Sequence, residues 1–241
     1  MEPLLIHQPA YLPWIGYFAR MLLAKRFVVL DHVQYTDGGW QHRNYILGSR
    51  PGTRCRLTLP LVKKGRFGQA LCDAVLADRS ATRHHWRSIS MRYGRAPFFD
   101  RYRSELRSIL DREWSGMTAL CVTLITFFMS CLNVNVPIVN SSSLGLTSRR
   151  TVLLADLCEI HHCDTLITGS GAAQYLDLPL LAARGIDHRP DGFNHPWYPQ
   201  VLPGFVSHLS VLDLLVHMGP RAHELLLASV GSQPSPEGAS C

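Results

Sequence analysis

A histidine and an aspartate each follow an apolar segment that is typical of a buried β-strand. His7 comes directly after residues 3–6, and Asp31 comes directly after residues 26–30. Histidine changes its charge near neutral pH, so His7 suits a general base or acid, and Asp31 could orient it, bind a metal or hold a cationic amine. Two structural alternatives stay open: His7 could stabilise the proline-rich turn after it, and Asp31 could cap a helix or a turn.

A glycine-rich turn, Gly169-Ser170-Gly171, follows a third apolar segment at residues 164–168. Its backbone amides could open towards an anion at the start of a helix. The turn matches neither a Walker loop nor a full dinucleotide fingerprint, and Ser170 lacks the glycine spacing of a nucleophile elbow. Because the carboxyl ends of parallel strands form one ligand crevice, we expect His7, Asp31 and this turn to lie at the same edge of a sheet.

Neighbouring polar and aromatic side chains complete the predicted site. Gln34 is a third catalytic candidate beside His7 and Asp31. Trp40 offers a stacking surface, and Arg43 a cation suited to phosphate or carboxylate. No metal is predicted, because the cysteines and histidines of residues 158–163 do not have the spacing of a zinc site. The predicted substrate-binding residues are Gln8, Tyr11, Trp14, Tyr35, Trp40, Arg43, Asn44, Gly169, Ser170, Gln174 and Tyr175.

The elements that must position these residues begin with a βαβ unit, which implies parallel pairing and a right-handed crossover. The pattern predicts a loop at 31–46 and an α/β fold with a mostly parallel sheet flanked by helices, Rossmann-like. One domain is expected over residues 1–228, with a flexible tail at 229–241. The predicted strands are 3–6, 26–30, 54–61, 71–76, 137–140 and 164–168, and the predicted helices are 15–25, 80–93, 98–112, 116–132, 148–161 and 207–218.

Composition limits the class of protein. Of 241 residues, 46% are hydrophobic and 17% are charged, which is typical of a globular chain. The formal net charge of +6 favours anionic partners. The seven cysteines, an odd number placed mostly in apolar segments, indicate reduced thiols and a cytoplasmic location. The longest apolar segment, residues 117–132, is too short to span a bilayer, so we expect a soluble protein without a membrane partner.

Two groups of arginines invite a functional interpretation. Eight arginines lie between residues 83 and 112, interleaved with aromatic residues. They could form a nucleic-acid surface, although a solvated helix face is the favoured interpretation. Arg149 and Arg150 lie in the first turn of a predicted helix, where the dipole disfavours cations, so they face either an acidic group or water. The weak nucleic-acid-binding candidates are Arg83, Arg87, Arg92 and Arg95.

The segment from Ile6 to Phe18, with the sequence IHQPAYLPWIGYF, resembles the opening signature of the WbqC-like family. The resemblance covers nearly the whole chain up to about residue 219. It departs from the family at Asp31-His32, where two aspartates are common, which puts in doubt a metal bound through the second acid. Further segments that resemble the family are residues 30–35, 40–44, 93–99, 169–176 and 209–213.

This resemblance implies a role in making surface polysaccharides or small specialised metabolites. We therefore expect a transferase that moves an acyl or aminoacyl group, from aminoacyl-tRNA or a coenzyme A thioester, onto an amine of a small molecule or amino sugar. No bound cofactor is expected. The alternatives are a nucleotide-using transferase or ligase and a non-catalytic RNA-binding or scaffold protein.

Overall fold

The computed structural model describes residues 1–169 and 172–230, which form an α/β fold around a five-stranded sheet. The strands, in chain order, are β1 (Pro3–His7), β2 (Arg26–Val29), β3 (Arg43–Leu47), β4 (Arg54–Thr58), β5 (Ile138–Asn140), β6 (Thr165–Thr168) and β7 (Asp187–Pro190). The order across the main sheet is β5-β2-β1-β6-β7, and every neighbouring pair is parallel. This confirms the predicted parallel, Rossmann-like α/β fold.

Helices cover both faces of the sheet. They are α1 (Ile15–Met21), α2 (Ala81–Tyr93), α3 (Phe99–Asp111), α4 (Met117–Cys131), α5 (Arg150–Ile160), α6 (Leu178–Ala183), α7 (Val211–Met218) and α8 (Ala222–Ala228). Helix α3 shows why they form, since its buried side chains recur every three or four residues on one face. Most of α4 is apolar and buried, which fits the buried helix expected at residues 116–132.

The alternation of side chains along each strand divides the core in two. Leu5 and Ile167 point to a large cluster that includes α4 and α7, whereas Leu4 and Leu166 point to a smaller cluster under α5. Successive residues of a strand face opposite sides of a sheet, so both faces of β1 and β6 need an apolar partner. The near-continuous apolar sequences of these strands follow from that double burial.

The register of the sheet determines which turns are neighbours. Strand β1 pairs with β2 from Leu4↔Arg26 to His7↔Val29, and on its other side it pairs with β6. The carboxyl ends of β2, β1 and β6 therefore lie side by side. His7, Asp31 and Gly169 lie at or directly after these strand ends, where the sequence predicted one shared crevice.

Two predicted elements differ in the structure. Residues 43–47, expected within a loop, form β3 and pair antiparallel with β4 in a separate hairpin. The strand begins with the polar residues Arg43 and Asn44, so its sequence lacks the apolar pattern by which a strand is predicted. The strand expected at 71–76 is a 3-10 turn at Leu71–Asp73, because the chain bends there to pack Leu71 in the core.

Strand β7 was missed because its sequence, Asp-His-Arg-Pro, carries no apolar alternation. It pairs only with β6 at the edge of the sheet, where polar residues and a terminal proline are tolerated. The expected boundary at residue 228 stays a prediction, since residues 231–241 lie outside the described residues. Ser229 is described and buried, and its Oγ donates to the carbonyl of Leu226 at 2.6 Å. No helix in the described ranges is long and apolar enough to cross a membrane.

Candidate functional site

Two cavities open at the carboxyl edge of the sheet. The first, named the His7 cavity, has a volume of about 510 Å³ and is lined by His7, Trp14, Tyr17, Arg20, Trp40 and His208, among others. The second, named the Arg149 cavity, has the same volume of about 510 Å³ and is lined by His32, Gln34, Ser148, Arg149 and Arg150, among others. The predicted single crevice is thus divided between the end of β1 and the ends of β2 and β5.

The imidazole of His7 has a defined orientation and tautomer. Its Nδ1 lies 3.0 Å from the carbonyl oxygen of Gln8, which can only accept, so Nδ1 carries the proton and Nε2 keeps its lone pair. The edge of the Tyr17 ring packs against it with ring centroids 4.7 Å apart, and the Tyr17 hydroxyl donates to the same carbonyl at 3.1 Å. Nε2 is therefore the nitrogen available to accept a proton.

The environment of His7 keeps the ring neutral. Burial, followed by the nearby guanidinium of Arg20, lowers the pKa of His7 to about 4, against a smaller opposite effect of the Gln8 hydrogen bond. At neutral pH the ring is then an uncharged hydrogen-bond acceptor. An amine or hydroxyl bound in the cavity could donate to it.

Arg20 supplies the positive charge beside His7. An ion pair with Asp191 holds its guanidinium, and Gly169 leaves space for it. Its Nε donates to Oδ2 of Asp191 at 2.5 Å, and the two side chains are only 12% and 3% exposed. Gly169, at the end of β6, makes room for the guanidinium, because a Cβ there would lie 2.6 Å from Nη2 of Arg20. The absence of a side chain at Gly169 therefore leaves room for a cation beside His7, while Ser170 and Gly171 lie outside the described residues.

The loop between His7 and Trp14 is fastened to the β3 hairpin. The side-chain amide of Asn44 donates to the carbonyl of Leu12 at 2.6 Å, and that of Gln41 donates to Oε1 of Gln8 at 2.6 Å. These bonds hold Leu12 at a φ of 46°, in the left-handed region that a branched side chain seldom adopts. Such strain persists only where the surrounding structure determines it, so the bonds to Asn44 and Gln41 fix the path of this loop.

Aromatic rings form the mouth of the His7 cavity. Trp14 stacks on His208 with ring centroids 5.5 Å apart and an interplanar angle of 17°. Trp40 is 58% exposed, and the guanidinium of Arg43 lies 5.4 Å above its ring. An exposed indole at the rim of a cavity is suited to stack on a planar or sugar group of a ligand.

Asp31 occupies a different place from the one expected beside His7. It is 1% exposed, and its carboxylate accepts from the amide of Ser142 at 2.8 Å, from Ser142 Oγ at 2.9 Å and from Ser141 Oγ at 3.1 Å. These bonds join the end of β2 to the 3-10 turn after β5. Among the described residues, Asp31 forms no hydrogen bond that would orient His7, and it instead fixes the chain that leads from β2 to His32, a lining residue of the Arg149 cavity.

Similarity to known proteins identifies the family of the chain. The WbqC-like protein family matches residues 8–225. The chain belongs to this family. The uncharacterized protein Rv1507c of Mycobacterium tuberculosis (strain ATCC 25618 / H37Rv) is 30% identical over 230 residues, which cover 94% of this chain and 98% of that relative. No solved structure matches the chain.

The remaining predicted site residues of this WbqC-like protein lie away from His7. Gln34 lines the Arg149 cavity. Tyr11 is wholly buried, with its hydroxyl 2.8 Å from Nδ1 of His85, so it supports the core rather than the cavity wall. Tyr35 is buried beside Asp37 and His42, and burial raises its pKa to about 12. Gln174 and Tyr175 are exposed near the end of β6.

Four arginines were weak nucleic-acid candidates in the sequence of this WbqC-like protein. Arg83, Arg87 and Arg95 are exposed, and Arg92 is half-buried. Arg83 pairs with Glu113 at 3.6 Å, and on α3 Arg107 pairs with Asp111 at 3.0 Å. The pairing favours an ordinary solvated helix face. RNA binding by this face stays a prediction.

Sequence reasoning missed three charged or titratable side chains of the His7 cavity. Arg20 is inside α1, Arg54 is inside β4, and His208 precedes α7. Only His208 had a local signal, since it adjoins the family-like segment at residues 209–213. Among the described residues, no group of three or more His, Cys, Asp or Glu is arranged to hold a metal ion.

Proposed function

We propose that this WbqC-like protein is a transferase that moves an acyl or aminoacyl group onto an amine of a small molecule or amino sugar in the His7 cavity. The observation that carries the proposal is the fixed tautomer of His7, whose Nδ1–H is bound to the Gln8 carbonyl while Nε2 is left as an acceptor. A coenzyme A thioester or an aminoacyl-tRNA is the donor in this proposal.

In the proposed step the amine nitrogen attacks the carbonyl carbon of the donor. A C–N bond forms, the C–S bond of a thioester or the C–O bond of an aminoacyl ester breaks, and the amine proton passes through Nε2 of His7 to the departing sulfur or oxygen. A ring whose pKa is about 4 is a weak base, so it takes the proton after the amine has become acidic by bonding to carbon. Arg20 supplies positive charge for the oxyanion formed at the carbonyl.

The acceptor class follows from the walls of the cavity. Trp40 offers an exposed face on which a sugar ring or a small planar group could stack, and Tyr45, Arg54 and His208 add polar atoms. The family's association with surface-polysaccharide and specialised-metabolite gene clusters, implied by the resemblance, supports an amino sugar or a small amine.

The test is an assay of amide formation by mass spectrometry. Purified protein is incubated with acetyl-coenzyme A or charged tRNA and a panel of amino sugars and alkyl amines. We expect His7→Gln to lower the rate by a factor of about 10²–10⁴ with little change in the Michaelis constants, because it removes the proton acceptor and keeps the volume.

The matched control is His84→Gln, which removes an exposed histidine on α2. It should retain the wild-type rate. Equal rates for His7→Gln and the wild type, or no amide from any donor with the wild type, would refute the proposal.

A nucleotide-using transferase or ligase is the second candidate. The observation that favours it is the presence of Arg20 and Arg54 among aromatic rings in one cavity, which also suits a nucleotide. Release of orthophosphate or pyrophosphate during turnover would separate this reaction from acyl transfer.

A further inference from the structure

The Arg149 cavity has positive charge that the described part of the chain does not neutralise. Arg149 and Arg150 line it, are both exposed, and form no salt bridge within residues 1–169 and 172–230. Two arginines side by side repel each other, so an anion bound between them would be stabilised by both. Arg150 is moreover held at a φ of 55°, a conformation costly for a side chain of its kind.

A histidine of the same cavity has a polar atom without a partner. Nε2 of His32 is buried and has no hydrogen-bond partner among the described residues, while Nδ1 lies 2.6 Å from Ser141 Oγ. Because Ser141 Oγ donates its one hydrogen to Asp31 Oδ1, Nδ1 of His32 donates to Ser141 Oγ, and the imidazolium form carries the second N–H at Nε2. Because an unsatisfied buried polar atom is costly, an anionic oxygen that accepts from Nε2–H would remove that cost.

A neighbouring cavity extends this one. It has a volume of about 400 Å³, shares Gln34 and Gly68 with the Arg149 cavity, and is lined by Lys63, Arg66 and Phe67. Phe67 is completely exposed, at 102%, so its ring is free to stack on a planar group. We name it the Phe67 cavity.

We propose that the Arg149 and Phe67 cavities together bind the nucleoside diphosphate group of a small molecule, with the phosphates between Arg149, Arg150 and His32 and the base on Phe67. A concave pair of cavities of this size suits a small molecule, since such sites occupy roughly 300–1,000 Å³. Coenzyme A and nucleotide-activated donors share this group. Its role as the part by which an acyl donor is held rests on the proposed function, whereas the binding itself does not.

The experiment is isothermal titration calorimetry with ADP and, in a second arm, coenzyme A. The wild type is compared with Arg149→Gln/Arg150→Gln and with Arg87→Gln/Arg95→Gln, a control pair that removes the same charge from α2 and the turn after it. We expect the first pair to weaken binding by a factor on the order of 100, because it removes charged hydrogen bonds to the phosphates. The control pair should stay within about two-fold of the wild type, as expected for exposed charges.

The stacking half of the site has its own variants. Phe67→Ala should weaken ADP binding by about 10-fold, and Phe67→Tyr should preserve it. Tighter binding of coenzyme A than of ADP would identify the coenzyme as the source of the group, and equal binding would identify a nucleotide.

Three results would overturn the inference: no binding of ADP or coenzyme A to the wild type, equal weakening by both arginine pairs, or binding of single-stranded RNA while both small probes fail. His7→Gln should bind ADP like the wild type. The failure of binding and the failure of catalysis are therefore measured separately.

Discussion

The His7 cavity and the Arg149 cavity lie at one edge of the same sheet and treat positive charge in opposite ways. Arg20 is nearly buried and is paired with Asp191 at 2.5 Å, whereas Arg149 and Arg150 are exposed and have no salt bridge within the described ranges. In the first cavity the protein has completed its own interactions and fixed a histidine tautomer. In the second, the two guanidinium groups and Nε2 of His32 have no partner among the described residues. Under the two proposals above, the His7 cavity is the place of the reaction and the Arg149 cavity is the place where a ligand is recognised.

The largest effect that would test this contrast is at the buried ion pair. Asp191→Asn should lower the free energy of unfolding by about 3 kcal/mol, because it leaves the cation of Arg20 buried without its counter-charge. Chemical denaturation measures this difference. Asp187→Asn, an exposed change on β7, is the control and should alter stability by less than about 0.5 kcal/mol. A small effect of Asp191→Asn would mean that Arg20 is no better neutralised than Arg149.

A smaller effect should appear in the pH dependence of stability. The folded pKa of His7 is lowered from 6.5 to about 4, so the unfolded chain binds the proton first as the pH falls. Stability is therefore lost between about pH 6.5 and pH 4, and His7→Gln should lose less across this window than the wild type does. Urea unfolding at a series of pH values measures both slopes. His85, whose pKa is also lowered to about 4, contributes equally to the two proteins. Parallel slopes would show that His7 is not held neutral.

The smallest effect is expected at the Arg149 cavity. Arg149→Gln/Arg150→Gln should change the free energy of unfolding by no more than about 0.5 kcal/mol, since neither guanidinium has an ion-pair partner in the described part of the chain. Thermal unfolding checks this. A loss of more than about 1 kcal/mol would give the two arginines a structural role and would weaken the contrast between the cavities.

Much of the fold and part of the site could be predicted from local sequence. Strands β1, β2 and β6 are apolar and buried on both faces, so their sequences identify them and their turns. The ends of these strands accordingly place His7, Trp14 and Gly169 near one another. Strand β7 could not be found this way, because an edge strand with one neighbour can be polar.

The rest of the site depends on contacts between distant segments. Arg20 is one cation among many until Asp191, 171 residues later, pairs with it. Asp31 follows a strand as a catalytic acid would, and only the position of Ser141 and Ser142 after β5 shows that its carboxylate joins two segments of the chain. Contacts between residues so far apart in the chain cannot be predicted from the spacing of residues in one sequence.

The acceptor that fixes the His7 tautomer is a main-chain oxygen. Both Nδ1 of His7 and the hydroxyl of Tyr17 donate to the carbonyl of Gln8, so the side chain at position 8 takes no part in those two bonds. A backbone carbonyl is present whichever amino acid is encoded there. A substitution of Gln8 should therefore leave the orientation of the His7 ring unchanged. Only a change in the path of the main chain at residue 8 would remove the acceptor. For the proposed transferase, this means that the side chains around the cavity can change while Nε2 of His7 keeps its place.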